Sequence, residues 1–294
     1  MIQLLDYEID KLIEEDLPFL DLTSGLLDIH QQPGRITIFT REKGIACGTE
    51  EAVRMFNKFQ IEVEHVIPSG SEIHSGDALI IGRGGVQSLH AVWKAAQNIL
   101  DYCSGIATKT HRLTLAARRN NPHLMLLSTR KTFPGTRKLA LKAIVAGGGL
   151  PHRLNLSETV RVFRNHLNLI GGVDEFIRRF PQISKTACEK KILVETSDMN
   201  EAKKLAAAGI HGIQFDKVTF EHLKDHLSEI RKINPRITIL VAGGIYEQNI
   251  CSYSHPDIDG IVTSSLYHGK PLDLGADIRL LETNNNLKTQ GEYE

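Results

Sequence analysis

Arg130 and Lys131 directly follow a run of residues that reads as buried. Leu124, Met125, Leu126 and Leu127 form the apolar run and Ser128 ends it. Pro134 and Gly135 then break the chain, and a helical pattern begins near Lys138. Further on, Gly147-Gly148-Gly149 leads towards His152-Arg153, so four certain or potential cations gather near one strand mouth. Cations in a strand-to-helix loop converge on one point, and the natural ligand there is a polyanion. A solvated loop with ordinary charges is the competing reading. The buried run just before Arg130 weakens it.

Alternating elements must position these residues. Apolar strands are expected at about 124–128, 158–163, 191–195, 211–215, 237–241 and 259–263, with helical segments between them. That rhythm is the mark of repeated βα units and a parallel sheet, in a barrel-like α/β domain or an open doubly wound sheet. The first third reads as a mixed α/β unit of antiparallel character. It has a helix at 4–15, a turn at 21–24, and strands at 35–40, 61–66 and 78–81. A short helix there is expected to take Thr49 as its N-cap, and 75–77 reads as a turn. Residues 86–119 read as two helices or one kinked helix, broken at Ser104-Gly105. The polar tail after Glu282 reads as frayed.

The 294 residues suit two domains, or one barrel with an extension. A hydrophobic share of 41% and a charged share of 24% are ordinary for a globular chain with a real core. A formal net charge of zero argues against nucleic acid and polybasic membrane binding, though not against a local anion site. Cys47, Cys103, Cys188 and Cys251 form no CxxC pair and read as reduced, mostly buried thiols, pointing to a cytoplasmic location. The acidic, amphipathic start does not read as a secretion signal, and no apolar run approaches a membrane span.

In an α/β barrel the working residues sit where strands end. Here Glu195 closes one expected strand, Asp216 the next, Ala242-Gly243-Gly244 the next and Thr263-Ser264-Ser265 the last. Glu195 and Asp216 are hard oxygen donors suited to Mg²⁺ and ribose hydroxyls. Gly243, Gly244, Ser264 and Ser265 can offer N–H groups and hydroxyls to a phosphate. Arg130, Lys131, His152 and Arg153 supply cations for carboxylates or pyrophosphate. A sugar with a 5′-phosphate, a 1-pyrophosphate and Mg²⁺ would use all three groups. The bland alternatives are surface salt bridges for the acids, a simple turn for the glycines and a packed core histidine for His152.

The segments Ser104-Gly105-Ile106-Ala107-Thr108, Thr129 to Gly135, Gly147-Gly148-Gly149, His152-Arg153-Leu154, Asn165-His166 and Ala242-Gly243-Gly244-Ile245 stand in an order that resembles the nicotinate-nucleotide pyrophosphorylase, or quinolinate phosphoribosyltransferase, family. The resemblance runs over nearly the whole chain. It implies an N-terminal α/β sandwich-like domain (1–110), an open, TIM-like α/β barrel (111–270) and a C-terminal segment (271–294) returning to the first domain. It also implies a homodimer with a shared active site. The implied reaction moves ribose 5-phosphate from phosphoribosyl pyrophosphate (PRPP) to an acceptor, with Mg²⁺ assisting and pyrophosphate leaving. By motif position, Arg130, Lys131, His152 and Arg153 would clamp acceptor carboxylate and pyrophosphate. Glu195 and Asp216 would hold Mg²⁺ and ribose, and Gly243, Gly244, Ser264, Ser265 and His268 would sit near the 5′-phosphate.

Departures from the pattern fall on the acceptor side. Phe163 stands where the family has a substrate-binding lysine, and Trp93-Lys94 where it has Glu-Arg. Pro151 and Ser264 depart as well. Trp93-Lys94, Phe133-Pro134, Pro151 and Phe163 together resemble the ModD branch, associated with molybdenum transport loci. Quinolinate carries two carboxylates, and leaving one poorly paired costs roughly 1–3 kcal/mol. Replacing an arginine by Lys94 also loses the planar fork. The expectation is a PRPP-dependent transferase with a changed, less anionic, heteroaromatic acceptor that meets Phe163 or Trp93. The alternatives are a true quinolinate phosphoribosyltransferase, a non-catalytic ligand-binding protein linked to molybdate uptake, and a direct molybdate handler.

Overall fold

A computed structural model describes residues 2–29 and 32–281, so the tail after Glu282 lies outside the described residues. The chain forms two compact units. One comprises the described residues up to Gly105 together with those from Pro271 onward, and the other is Ile106–Lys270.

In the first unit α1 (Asp6–Glu14) and α2 (Leu22–Leu27) precede β1 (Pro33–Thr40), β2 (Gly44–Ile45), α3 (Thr49–Lys58), β3 (Glu62–Val66), β4 (Glu72–Ile73) and β5 (Ala78–Gly85). β13 (Leu274–Leu280) returns to pair antiparallel with β1. The resulting sheet runs β13-β1-β5-β3, and β2 and β4 form a separate ribbon. β1 sits at its centre because Ile36 and Ile38 alternate onto the buried face, both at 0% exposure. Residues 21–24 are not a plain turn: Asp21 caps α2, its Oδ1 accepting from Ser24 N–H at 3.1 Å. Thr49 is not the N-cap of α3 either. Gly48 takes that place at φ 90°, leaving Thr49 as the first helical residue.

α4 (Val86–Ala117) is one continuous helix, not two, and the boundary between units falls within it at Gly105/Ile106. Ser104 does not break it, because its hydroxyl accepts from Cys47 N–H at 3.0 Å rather than disrupting the helix backbone. The cysteines are free; Cys47 and Cys103 are buried, but Cys188 is exposed and Cys251 intermediate.

The second unit carries β6 (Met125–Ser128), α5 (Arg137–Ala146), β7 (Leu150–Pro151), β8 (Val160–Val162), α6 (Arg164–Ile170), α7 (Val173–Thr186), β9 (Ile192–Thr196), α8 (Met199–Ala207), β10 (Gly212–Asp216), α9 (Phe220–Ile233), β11 (Thr238–Ala242) and β12 (Gly260–Thr263). The strands make one parallel seven-stranded sheet in the order β7-β6-β12-β11-β10-β9-β8. It is an open half-barrel, the arrangement that the family resemblance implies and one of the two that the βα rhythm leaves open. Sequence reading misses only the two-residue β7, which is too short to show a period.

Register decides what faces the barrel interior. Gln214 pairs with Glu195 and with Leu240, and Asp216 with Ala242, so these side chains share a face. Arg161 pairs with Leu193 and joins the same face. Below the mouth that face is an apolar floor of Leu127, Leu193, Leu240, Ala242 and Val262. Each large side chain so buried contributes about 1.5–3 kcal/mol. Because every strand is parallel, their carboxyl ends open on one side.

Gly147 closes α5 where it crosses α4. A Cβ there would stand 2.3 Å from the Ala107 carbonyl oxygen and 2.6 Å from Thr110 Cβ. No residue with a side chain fits that crossing unless the helices separate.

Candidate active site

The carboxyl ends of the barrel strands surround a cavity of about 620 Å³. Arg130 and Lys131 enter it from the loop after β6, and His152 and Arg153 from the loop after β7. Phe163 lines it from just after β8, where it caps α6, and Glu195 and Asp216 line it from β9 and β10. Gly243, Gly244, Ser264, Ser265 and His268 complete it from the loops after β11 and β12. Twelve of the thirteen residues singled out from sequence therefore meet in one cavity. Lys94 belongs to the first unit, where its ammonium lies 5.4 Å from the Trp93 ring centre.

Sequence reading misses Arg161 and Gln214, which also line the cavity. The signal was present: Arg161 is two residues before Phe163, and Gln214 two before Asp216, so strand alternation puts each on the inward face. Lys217 and Tyr246 are further lining residues not foreseen, and Thr263, which closes the last strand, lines it as well.

Electrostatics divide the site. Arg161 Nη2 donates to Glu195 Oε2 at 3.2 Å, and Gln214 Nε2 donates to the same oxygen at 3.2 Å. Burial pushes the Glu195 carboxyl up, Arg161 works against that, and Asp216 adds to the rise. Burial also lowers the Arg161 guanidinium, which stays a cation. Arg153 is lowered by burial and by its neighbour Arg130, the sign of a cation cluster without its anion. The Asp216 carboxylate makes no hydrogen bond among the described residues.

His152 is not the cation that the sequence suggests. Burial, then Arg161, then Arg153 push its imidazole down to about 4. Its Nε2 lies 2.9 Å from Arg161 Nη1. The same Nη1 lies 3.4 Å from His152 Nδ1, and because a guanidinium has only donors this contact suits an uncharged ring. The unfolded chain takes up this proton at a higher pH than the folded one. The stabilising contribution is therefore complete above about pH 6.5 and is lost as pH falls towards about 4. Asp101, raised by burial to about 6, has the opposite slope, favouring the fold at low pH and losing that contribution as pH rises through about 6. NMR of the His152 imidazole separates the two. His152 is expected to stay neutral down to about pH 4, whereas a midpoint near 6.5 would show that the Arg161 contact is absent in solution.

The late loops are built for close approach. Gly243 has φ 83°, and a Cβ there would lie 2.8 Å from Asp216 Oδ1 and from Lys217 N. Glycine thus keeps the space beside the Asp216 carboxylate open. Thr263 Oγ1 donates to the Ile245 carbonyl at 2.7 Å and accepts from Ser265 N–H at 3.0 Å, tying the two loops together. The Tyr267 hydroxyl donates to the Thr129 carbonyl at 2.5 Å, anchoring the loop that carries Arg130.

Among the described residues no group of three or more His, Cys, Asp or Glu side chains gathers to hold a metal. Asp216 and Glu195 still fit Mg²⁺ brought in by a polyphosphate, because Mg²⁺ commonly takes one or two carboxylates and completes its shell with phosphate and water. No helix of the described residues is long and apolar enough to cross a membrane.

Two family profiles match the chain: "Quinolinate phosphoribosyl transferase, N-terminal domain" over residues 21–104, and the corresponding C-terminal domain over residues 106–277. Among curated proteins, a "Putative pyrophosphorylase ModD" of Pasteurella multocida is 32% identical over 274 residues, covering 93% of this chain and 97% of that protein. A "Probable nicotinate-nucleotide pyrophosphorylase [carboxylating]" of Methanocaldococcus jannaschii is 31% identical over 273 residues, covering 91% and 95%. Among solved structures, NadC from Streptococcus pyogenes superposes with a TM-score of 0.85 at 27% identity, covering 96% of this chain and 100% of that one.

Proposed function

The chain belongs to the quinolinate phosphoribosyl transferase family, and on that footing we propose that it transfers ribose 5-phosphate from PRPP to a heteroaromatic nitrogen acceptor less anionic than quinolinate, releasing pyrophosphate. Charge balance in the cavity carries the reading. Besides His268, the walls hold the cations Arg130, Lys131, Arg153, Arg161 and Lys217 against the carboxylates Glu195 and Asp216. The neutral His152 adds nothing to them. The excess is about three positive charges. Fully ionised PRPP carries about five negative charges, and about three once Mg²⁺ rides on it. The donor alone therefore balances the lining, and no surplus cation remains for two acceptor carboxylates.

In this reading Gly243, Gly244, Ser264, Ser265 and His268 take the 5′-phosphate. Arg130, Lys131 and Arg153 hold the pyrophosphate, with His152 beside them at the acceptor. As the bond from the anomeric carbon to oxygen breaks, negative charge grows on the departing pyrophosphate, where Arg130 and Lys131 stabilise it. The positive character left at the anomeric carbon faces Asp216 and Glu195. Bound Mg²⁺ would add neutralisation of the leaving group. The acceptor nitrogen donates its lone pair to the anomeric carbon. The proposal extends to a homodimer in which Lys94 serves the neighbouring subunit, a point light scattering of the purified chain tests.

A quinolinate phosphoribosyltransferase is the second reading, favoured by the likeness to the M. jannaschii and S. pyogenes proteins. The test is pyrophosphate release from PRPP and Mg²⁺ with quinolinate, with singly charged and neutral heterocycles, and with no acceptor. Release with the less anionic heterocycles is expected. Release strictly dependent on quinolinate establishes the second reading, and no release with any acceptor rejects both.

A further inference from the structure

β7 and β8 are the two edges of the open barrel, and among the described residues no backbone ladder joins them. Their mouths are joined by side chains instead. His152 directly follows β7 and takes a hydrogen bond from Arg161 on β8 at 2.9 Å. Arg161 reaches Glu195 with its other arm at 3.2 Å, in a pair whose side chains are 8% and 22% exposed. Its Nε has no hydrogen-bond partner among the described residues, so the pair is held by one arm only. Phe163 lies two residues further along the same face. The guanidinium carbons of Arg161 and Arg153 lie 5.2 Å and 5.8 Å from its ring centre, and His166 stacks on it at 5.6 Å.

We propose that Arg161 is the specificity-determining residue of the acceptor end: it commits its charge to Glu195 and His152, packs with Arg153 around Phe163, and so restricts the acceptor to a flat heterocycle with at most one negative charge. The inference rests on the transferase reading and adds the residue that sets acceptor choice. Turning Arg161 towards a ligand carboxylate would leave Glu195 ionised and largely buried, which is strongly unfavourable. The Phe163 ring brings two guanidiniums together through its electron-rich face without adding a charge of its own. A flat ring can stack beside such an aromatic and guanidinium surface. With Arg161 committed, Arg153 is the one guanidinium beside Phe163 left to meet a carboxylate, and a second carboxylate would find no partner between the two.

Positions 161 and 163 should therefore be coupled. An ammonium introduced at 163 alone lands within about 5–6 Å of two guanidiniums, where like charges repel. The same ammonium with Arg161 removed meets one fewer, and the double variant conserves net charge. Calorimetry on the free protein, without PRPP, would compare nicotinate and quinolinate as the singly and doubly charged probes. The parent is expected to prefer nicotinate by about tenfold or more. Phe163→Lys alone should leave that ratio nearly unchanged, whereas Arg161→Leu with Phe163→Lys should shift it at least about tenfold towards quinolinate. Arg161→Lys, which keeps charge without the fork, should keep the parent's preference. Arg161 would lose the role if Phe163→Lys alone shifts the ratio as far as the double variant. The same follows if the double variant behaves as the parent, if the parent binds quinolinate equally well, or if no form binds either acid. Pyrophosphate release is assayed separately: its absence with every acceptor rejects the transferase reading, while the binding ratio alone judges Arg161.

Discussion

Asp216→Asn is expected to lower PRPP-dependent pyrophosphate release by about 10²- to 10³-fold while leaving the melting temperature near that of the parent. Asp216 closes β10, paired with Ala242 on β11, and its side chain is half-buried at the cavity wall. The carboxylate makes no hydrogen bond among the described residues, and asparagine keeps its volume, so the fold loses little. What disappears is a negative charge facing the donor. Losing one aimed electrostatic contact to a transition state costs about 2.7–4 kcal/mol, which is that range of rate. A secondary effect reinforces the assignment. Asp216 is one of the groups holding the Glu195 carboxyl up, so its removal should let Glu195 ionise at lower pH. Unchanged turnover would take Asp216 out of the reacting centre.

Gly147→Ala should destabilise the second unit by about 3 kcal/mol or more, lowering its melting temperature by about 6–12 °C. The added Cβ would meet the Ala107 carbonyl at 2.3 Å, Thr110 Cβ at 2.6 Å and His111 N at 3.0 Å, all parts of α4 that cannot swing aside. α5 must then lift off α4, and with it the chain leading through β7 to His152 and Arg153. The neighbouring Gly148→Ala is the control. It has φ 86° but meets only a Thr114 methyl at 3.8 Å, so it carries backbone strain of about 1–2 kcal/mol without the collision. Thermal denaturation of the two variants distinguishes them; equal, small shifts would mean that the crossing has room for a Cβ in solution.

The sequence by itself determined the barrel strands, because parallel strands buried on both faces leave continuous apolar runs that no loop imitates. It also located Glu195, Asp216 and the Gly243-Gly244 and Ser264-Ser265 loops, since residues at strand ends are marked by the abrupt return of polarity. It did not determine what those residues do to one another. α4 runs through Ser104-Gly105 unbroken, because the Ser104 hydroxyl is occupied by Cys47, 57 positions away. His152 reads as a cation in the chain but is neutral in the fold, where burial and two arginines set its charge. Arg161 looks like an ordinary strand residue until the sheet curls and brings β8 beside β7, with Glu195 34 positions further on. Charge state and pairing depend on distances of a few ångströms between residues remote in sequence. Local pattern fixes which face a side chain takes, while only the closed tertiary structure fixes its neighbours.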